Sequence, residues 1–148
     1  MKRRLIIIFM ILLFCLYGFH SSENISASES TGMQDNYNMA LVNTYLKSIQ
    51  EASNSFYDEY LTINPRVDYY SVTVKKISSD QPTNPTILIT FICEPFVGPH
   101  DTIGTDEITF SADYVGNVKL KEFNHIKSYS LPDNLKSLIK KPLPDDYE

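Results

Sequence analysis

The chain has 148 residues, of which 43% are hydrophobic and 12% aromatic, and its formal net charge is −5. This composition supports one packed core of ordinary domain size and excludes an intrinsically disordered chain. The acidic balance disfavours partners that are themselves polyanions, so nucleic acid and anionic lipid are not expected as ligands.

The N-terminus has the layout of a secretory signal peptide. Residues 2–4 are basic, residues 5–15 are apolar, and residues 26–28 are small. This order predicts export, with cleavage after Ala27 or, as the alternative, after Ser28. An uncleaved membrane anchor also stays open, although a spanning helix needs about 20 apolar residues and this run is shorter.

Cleavage would change the charge and the cysteine content of the protein. The predicted signal peptide, residues 1–27, contains three basic residues and one acidic residue, so its loss lowers the net charge from −5 to −7. Cys15 leaves with it, and Cys93 then stands alone, which excludes an intrachain disulfide. We expect the mature protein to be secreted or held in the cell envelope, without membrane contact once the signal is cleaved.

The mature chain begins with a polar segment and continues with a helix. Residues 28–37 are almost entirely polar and predict a flexible leader. From 38 to 61 the apolar residues recur three and four positions apart, which predicts an amphipathic helix of about six turns. The predicted stripe consists of Met39, Val42, Leu46, Ile49, Ser53, Phe56 and Tyr60, and it is widened by Leu41, Tyr45 and Ala52.

Four strands are predicted after the helix, because four runs are rich in β-branched and aromatic residues or alternate in polarity. These runs are residues 69–77, 86–93, 107–113 and 118–126. Together with a helix near 134–140, they predict an α+β fold. In this fold a long N-terminal helix packs on a four-stranded antiparallel meander, and a short C-terminal helix follows. At fold level the arrangement is analogous to the cystatin-like class.

The domain and its core follow from this arrangement. A single domain is predicted over residues 38–141, with an acidic tail at 142–148. Phe56 on the helix and Phe110 on the third strand are expected to be buried where the helix meets the sheet.

The turn between the third and fourth strands is predicted in detail. A three-residue loop over 114–116 places Ala112 opposite Val118 and keeps one face of the sheet apolar. Gly116 then takes the left-handed conformation that such a loop requires. The alternation of the last strand breaks at residues 122–123, which predicts a bulge there.

The connection between the second and third strands holds the candidate site. It combines glycine, proline, histidine and carboxylates, and loops of this kind carry function more often than core elements do. The candidate recognition residues are Gly98, Pro99, His100, Asp101, Gly104, Asp106 and Glu107. Their spacing matches neither a calcium loop nor a zinc pattern. Cys93, on a packed strand, is a poor nucleophile for His100 to activate. We therefore predict no catalytic residue, no metal and no cofactor.

This connection also resembles a known family. The residues Gly98-Pro99-His100 and Ile103-Gly104-x-Asp106-x-Ile108-Thr109-Phe110 are similar to the signature stretch of the family called domain of unknown function 3888. The likeness would cover about residues 38–135. It implies a small secreted or envelope protein of a Gram-positive spore-former, with a helical first half and a strand-rich second half. It implies no activity and no role for any single residue.

Two functions remain open at this point. The first is a non-enzymatic binding or interaction module whose partner is an unknown protein, a peptide or a cell-wall component. The abundance of Tyr and Phe suits such a surface as well as a core. The second is a small extracellular enzyme or metal-dependent factor that uses residues 94–107. The lack of a nucleophile–base pair and of a metal-ligand spacing favours the first.

Overall fold

The computed structural model of the protein describes residues 23–79 and 85–144. It has an α+β architecture, which confirms the predicted class. In chain order the elements are α1 (Glu23–Tyr57), a 3-10 helix (Tyr69–Ser71), β1 (Val72–Ser79), β2 (Ile87–Cys93), β3 (Phe96–Val97), β4 (Asp101–Thr102), β5 (Gly104–Ala112), β6 (Val118–Ser128) and a second 3-10 helix (Asp133–Leu138).

The main sheet is a four-stranded antiparallel meander in the order β1-β2-β5-β6, as predicted. The short strands β3 and β4 form a separate two-stranded sheet that is inserted between β2 and β5. The insertion was not predicted, because two-residue strands leave no alternation for a sequence pattern to detect.

Helix α1 begins at Glu23 and therefore includes residues 28–37, for which the sequence predicts a flexible leader. The compact unit that contains the sheet starts at Asn38. Residues 1–22 of the predicted signal peptide and residues 145–148 of the predicted tail lie outside the described residues. Within the described part of the chain, no helix combines the length and the apolar character needed to cross a membrane.

The predicted turn between β5 and β6 is confirmed. Ala112 lies opposite Val118, and Phe110 lies opposite Leu120. Gly116 has φ +88°, the left-handed conformation expected at this place in the loop. This register keeps the apolar side chains of both strands on the face that meets the helix.

Two bulges interrupt β6, where Lys121 and Ile126 are skipped in the register with β5. The first confirms the predicted break of alternation next to residue 122. The second was not predicted, and it has a consequence for the core. Because Ile126 is the extra residue, His125 lies opposite Asp106 and shares its face of the sheet.

The core lies between one face of the sheet and helix α1. Its buried members are Val42, Tyr45, Ile49, Ala52, Val67, Val72, Ile89, Phe91, Cys93, Ile108 and Phe110. The Tyr45 ring packs against Phe91 and Phe110, at centroid distances of 5.3 and 5.6 Å. Phe110 is buried as expected, whereas Phe56 is half-buried and Met39 is exposed. The buried face of the helix is therefore centred on Tyr45 and Ile49, which both belong to the predicted stripe, and it does not extend to Met39.

The C-terminal segment from Leu131 to Pro144, which we call the strap, covers a second apolar cluster around Tyr57. Leu131 and Leu143 are buried in this cluster. The Thr62 N–H donates to the Leu138 carbonyl at 2.8 Å, so the strap is held to the chain that follows α1. A 3-10 helix occupies the position where a short helix was predicted, and an α-helix there is not confirmed. The cystatin-like analogy is not confirmed either.

Candidate functional site

The structure distributes the seven predicted site residues over three places. Gly98, Pro99 and His100 form the exposed turn between β3 and β4, and Asp101 follows in β4. Gly104 and Asp106 are buried in β5, on the face that meets the helix. Glu107 lies on the opposite face of the sheet, where it forms an ion pair with Lys75. The predicted loop is thus not one site, and its surface and buried parts have to be considered separately.

The exposed turn carries backbone strain at a histidine. Gly98 has φ +53°, a conformation open to glycine, but His100 has φ +78°. A non-glycine residue in this region is uncommon and costs on the order of 1 kcal/mol or more. The His100 ring stacks on Phe96 with a centroid distance of 4.7 Å and an interplanar angle of 22°. The stacking against a buried ring holds His100 in its strained conformation.

Two exposed tyrosines extend this stack over the neighbouring surface. Tyr69 and Tyr70 are 56% and 53% exposed, although both are large apolar rings. The Tyr70 ring lies 6.2 Å from Phe96 and 5.8 Å from His100. We call Tyr69, Tyr70, Phe96 and His100 the aromatic platform.

The platform is fixed by hydrogen bonds on the segment that carries the tyrosines. Arg66 and Phe96 exchange two backbone hydrogen bonds, of 2.8 and 3.0 Å. The Tyr70 hydroxyl donates to Asp68 Oδ2 at 2.8 Å, which orients its ring. The Arg66 guanidinium lies over the Phe96 ring, 5.6 Å from its centroid. The exposed rings are therefore preorganised.

The buried part of the predicted loop belongs to a polar network inside the core. Asp106 is completely buried, and its Oδ1 lies 2.6 Å from His125 Nδ1. The Tyr57 hydroxyl donates to the same oxygen at 3.3 Å, while Oδ2 has no hydrogen-bond partner among the residues that the structure describes. Burial raises the pKa of Asp106 to about 6, against the opposing effect of the hydrogen bonds to His125 and Tyr57. A buried carboxyl with an unpaired oxygen favours keeping a proton within the pair.

The network continues from His125 to the strap. His125 Nε2 lies 2.9 Å from Ser128 Oγ, and the Ser128 hydroxyl donates to the carbonyl of Pro144. A serine hydroxyl has a single hydrogen, so Ser128 accepts from an Nε2–H group. The imidazole therefore carries its proton on the side of the serine.

The order Asp106, His125 and Ser128 is that of the relay which activates a serine nucleophile. Such a relay requires an unprotonated Nε2 that takes the hydroxyl proton. Here the Ser128 hydroxyl donates to the Pro144 carbonyl, and Ser128 is 5% exposed, so its oxygen is not accessible to a substrate. The three residues, as arranged in the structure, therefore do not form a reaction centre.

The other chemical interpretations of the loop also lack the necessary contacts. Cys93 lies opposite Asp106 in the register of β2 and β5, and burial raises the pKa of its thiol, which disfavours the reactive thiolate. His100 is on the exposed turn and does not meet it. Among the residues that the structure describes, no three His, Cys, Asp or Glu side chains come together as a metal site would require.

Comparison with known proteins decides the family. The chain matches the family described as Protein of unknown function (DUF3888) over residues 37–127. The chain belongs to this family. The resemblance of residues 98–110 to that family is thereby confirmed. No curated protein and no solved structure matches the chain.

The matched region of this DUF3888 protein contains both parts of the candidate site. It includes the aromatic platform as well as Tyr57, Asp106 and His125. It ends at residue 127, so Ser128 and the strap lie beyond it.

Sequence reasoning missed Tyr57, His125 and Ser128, but one signal was present. The alternation of Ile108 and Phe110, extended by one step toward the N-terminus, places Asp106 on the apolar face of β5. A carboxylate there requires a buried partner. Identifying His125 as that partner required the bulge at Ile126, which the sequence does not mark.

Proposed function

We propose that this DUF3888 protein is a non-enzymatic binding module that acts outside the cytoplasmic membrane of a Gram-positive bacterium. Its binding surface is the aromatic platform. The observation that carries the proposal is His100, a strained residue stacked on Phe96 beside two half-exposed tyrosines. Strained residues cluster at functional sites, and an exposed aromatic patch is typical of an interaction surface.

The chemistry of the platform suits a protein partner. Tyrosine and arginine are enriched among the residues that dominate binding energy at protein interfaces. The hydrogen bonds that fix residues 66–70 lower the entropy that binding would otherwise cost. These properties favour a direct contact with a peptide segment of another protein.

Charge indicates what kind of segment fits. The mature chain has an expected net charge of −7, and Arg66 at the margin of the platform is already paired with Asp68 at 3.3 Å. Glu94, close in sequence to Phe96, is also exposed. A neutral or basic segment is therefore favoured over an acidic one, and nucleic acid is disfavoured.

Export is the second part of the proposal. The order of basic, apolar and small residues in 1–28 supports a cleavable signal. Export makes the partner a secreted protein or a protein of the cell envelope.

Site-specific photo-crosslinking in cells tests the proposal, because it captures a partner whose identity is unknown. A photoreactive phenylalanine analogue replaces Tyr70 in one strain and Tyr114 in another. Tyr114 is a matched control, because it is 80% exposed on the distant turn between β5 and β6. We expect a protein adduct at position 70 and none at 114. An adduct that is released by a wall hydrolase but not by a protease would show that the partner is a wall component and not a protein. Equal labelling at both positions would contradict the proposal.

A further inference from the structure

The buried polar network of Tyr57, Asp106, His125 and Ser128 suggests how binding at the platform is regulated. We propose that the strap is a proton-controlled latch, in which loss of one proton from the buried Asp106–His125 pair turns the Ser128 hydroxyl away from Pro144 and releases the strap. The latch depends only on the hydrogen bonds of the buried network. Its effect on binding rests on the proposed function of the platform.

The latch contact lies at the end of the strap. Ser128 is the last residue of β6, and its hydroxyl donates to the Pro144 carbonyl. Further along the strap, the Lys140 N–H donates to the Tyr60 carbonyl at 2.7 Å, and Leu143 is buried. The Ser128 bond thus connects the strap to the network inside the sheet.

Counting protons shows why this bond depends on the charge of the pair. In the closed state one proton lies between Asp106 Oδ1 and His125 Nδ1, and a second lies on Nε2, from which Ser128 accepts. If the pair loses one proton, the imidazole keeps a single N–H. That N–H is held at Nδ1, because an ionised carboxylate 2.6 Å away would repel a lone pair there.

The loss therefore changes the role of Nε2 from donor to acceptor. The Ser128 hydroxyl then gives its only hydrogen to Nε2, and the Pro144 carbonyl loses its donor. The result is a strap end that is hydrogen-bonded to Ser128 at low pH and free of it at high pH.

The groups that face the pair do not compete for this proton. Among the described residues they are Tyr57 from α1 and Cys93 from β2, with the Phe56 ring stacked on His125 at 5.0 Å. Burial raises the pKa of both the Tyr57 hydroxyl and the Cys93 thiol, so both stay protonated. Burial also raises the pKa of Asp106 to about 6, which places the release near neutral pH.

The strap reaches the platform through Leu135. A β-carbon built on Gly98 would lie 3.2 Å from Leu135 Cδ1, so the strap packs against the turn that positions His100. Release of the strap removes this support from the turn. Binding at the platform is then weaker at high pH, when the latch is open.

Hydrogen exchange measured by mass spectrometry at pH 5 and pH 8, corrected for the intrinsic rate, tests the latch on the mature protein. In the wild type we expect protection of residues 138–141 and 96–102 to fall by about five- to tenfold at pH 8, the equivalent of one hydrogen bond. Asp106→Asn supplies an amide N–H to Nδ1 and mimics the protonated pair, so its protection stays high at both pH values. Ser128→Ala removes the latch, so the protection of the same residues in this variant is low at both pH values.

Ser111→Ala is the control, since Ser111 is a buried serine of β5 outside the network, and it should behave as the wild type. Equal protection of the wild type at both pH values overturns the latch, as does a Ser128→Ala variant that keeps the pH dependence. If Asp106→Asn does not fold, the comparison of wild type with Ser128→Ala still shows whether the pH dependence of protection requires Ser128. The measurement uses no ligand, so a failed latch is distinguishable from a failed platform, which the crosslinking at position 70 reports.

Discussion

Gly104 lies directly against the hydroxyl group of Tyr57, with no room for a side chain between them. A β-carbon at Gly104 would collide with the phenolic oxygen and would lie 2.8 Å from His125 Cε1 and 2.9 Å from the Lys127 carbonyl. The glycine is thus required by the close approach of α1 and β6 around the buried network. A packing requirement therefore accounts for glycine at this position.

This contact predicts the effect of a single methyl group. Gly104→Ala should lower the free energy of unfolding by about 2 kcal/mol or more, because backbone and ring atoms on three sides cannot move apart cheaply. Urea unfolding followed by circular dichroism measures it. Gly32→Ala, where no atom lies within 4 Å, should be neutral or stabilising. Equal effects of the two substitutions would show that the packing around Gly104 is wrong.

The buried carboxyl predicts a pH dependence of stability. The pKa of Asp106 is raised to about 6 from its usual value near 4, so between these values the folded carboxyl keeps a proton that the unfolded carboxyl has released. The free energy of unfolding of the wild type, relative to that of Asp106→Asn, therefore falls as pH rises through this window, by at most about 1.4 kcal/mol per pH unit. Asp106→Asn should lack this component. If the free energy of unfolding changes with pH equally in the wild type and in Asp106→Asn between pH 4 and 6, this prediction is wrong.

The strained histidine predicts an unusual pair of variants. His100→Ala loses the stacking on Phe96 and keeps the positive φ, so it should be destabilised by about 1 kcal/mol. His100→Gly loses the same stacking but relieves the strain, and should be more stable than His100→Ala by about 1 kcal/mol. Thermal unfolding of both variants is the measurement. The opposite order would mean that His100 is not strained.

The N-terminal segment predicts processing. Protein isolated from the medium or the wall fraction should have an intact mass that corresponds to a start at Ser28, with Glu29 as the alternative. Full-length protein in the membrane fraction would instead establish the uncleaved anchor.

The fold was predictable where the sequence pattern is regular. The alternation around Ile108 and Phe110, together with Gly116, was enough to give the register of β5 and β6. The helix face was placed less accurately, because the predicted stripe combined the buried Tyr45 and Ala52 with Met39, which is exposed. The side of a wide stripe that is buried depends on the sheet residues that it meets, and the helix sequence alone does not contain this.

The candidate site was predictable only in part. Glycine, proline and histidine in one connection drew attention to residues 98–106. The division of that connection into a surface turn and a buried network depends on the β3–β4 insertion and on the bulge at Ile126. The insertion consists of two-residue strands that show no alternation, and the bulge is set by the pairing of β6 with β5. The platform also needs Tyr69 and Tyr70, which are distant in sequence and reach Phe96 through backbone pairing at Arg66.

The most direct test of the account is the ratio of photo-crosslinked adduct at position 70 to that at position 114 in living cells. If the aromatic platform is the binding surface, the ratio is well above one and falls toward one when His100→Ala is added to the same chain. A ratio near one that His100→Ala leaves unchanged would contradict the account.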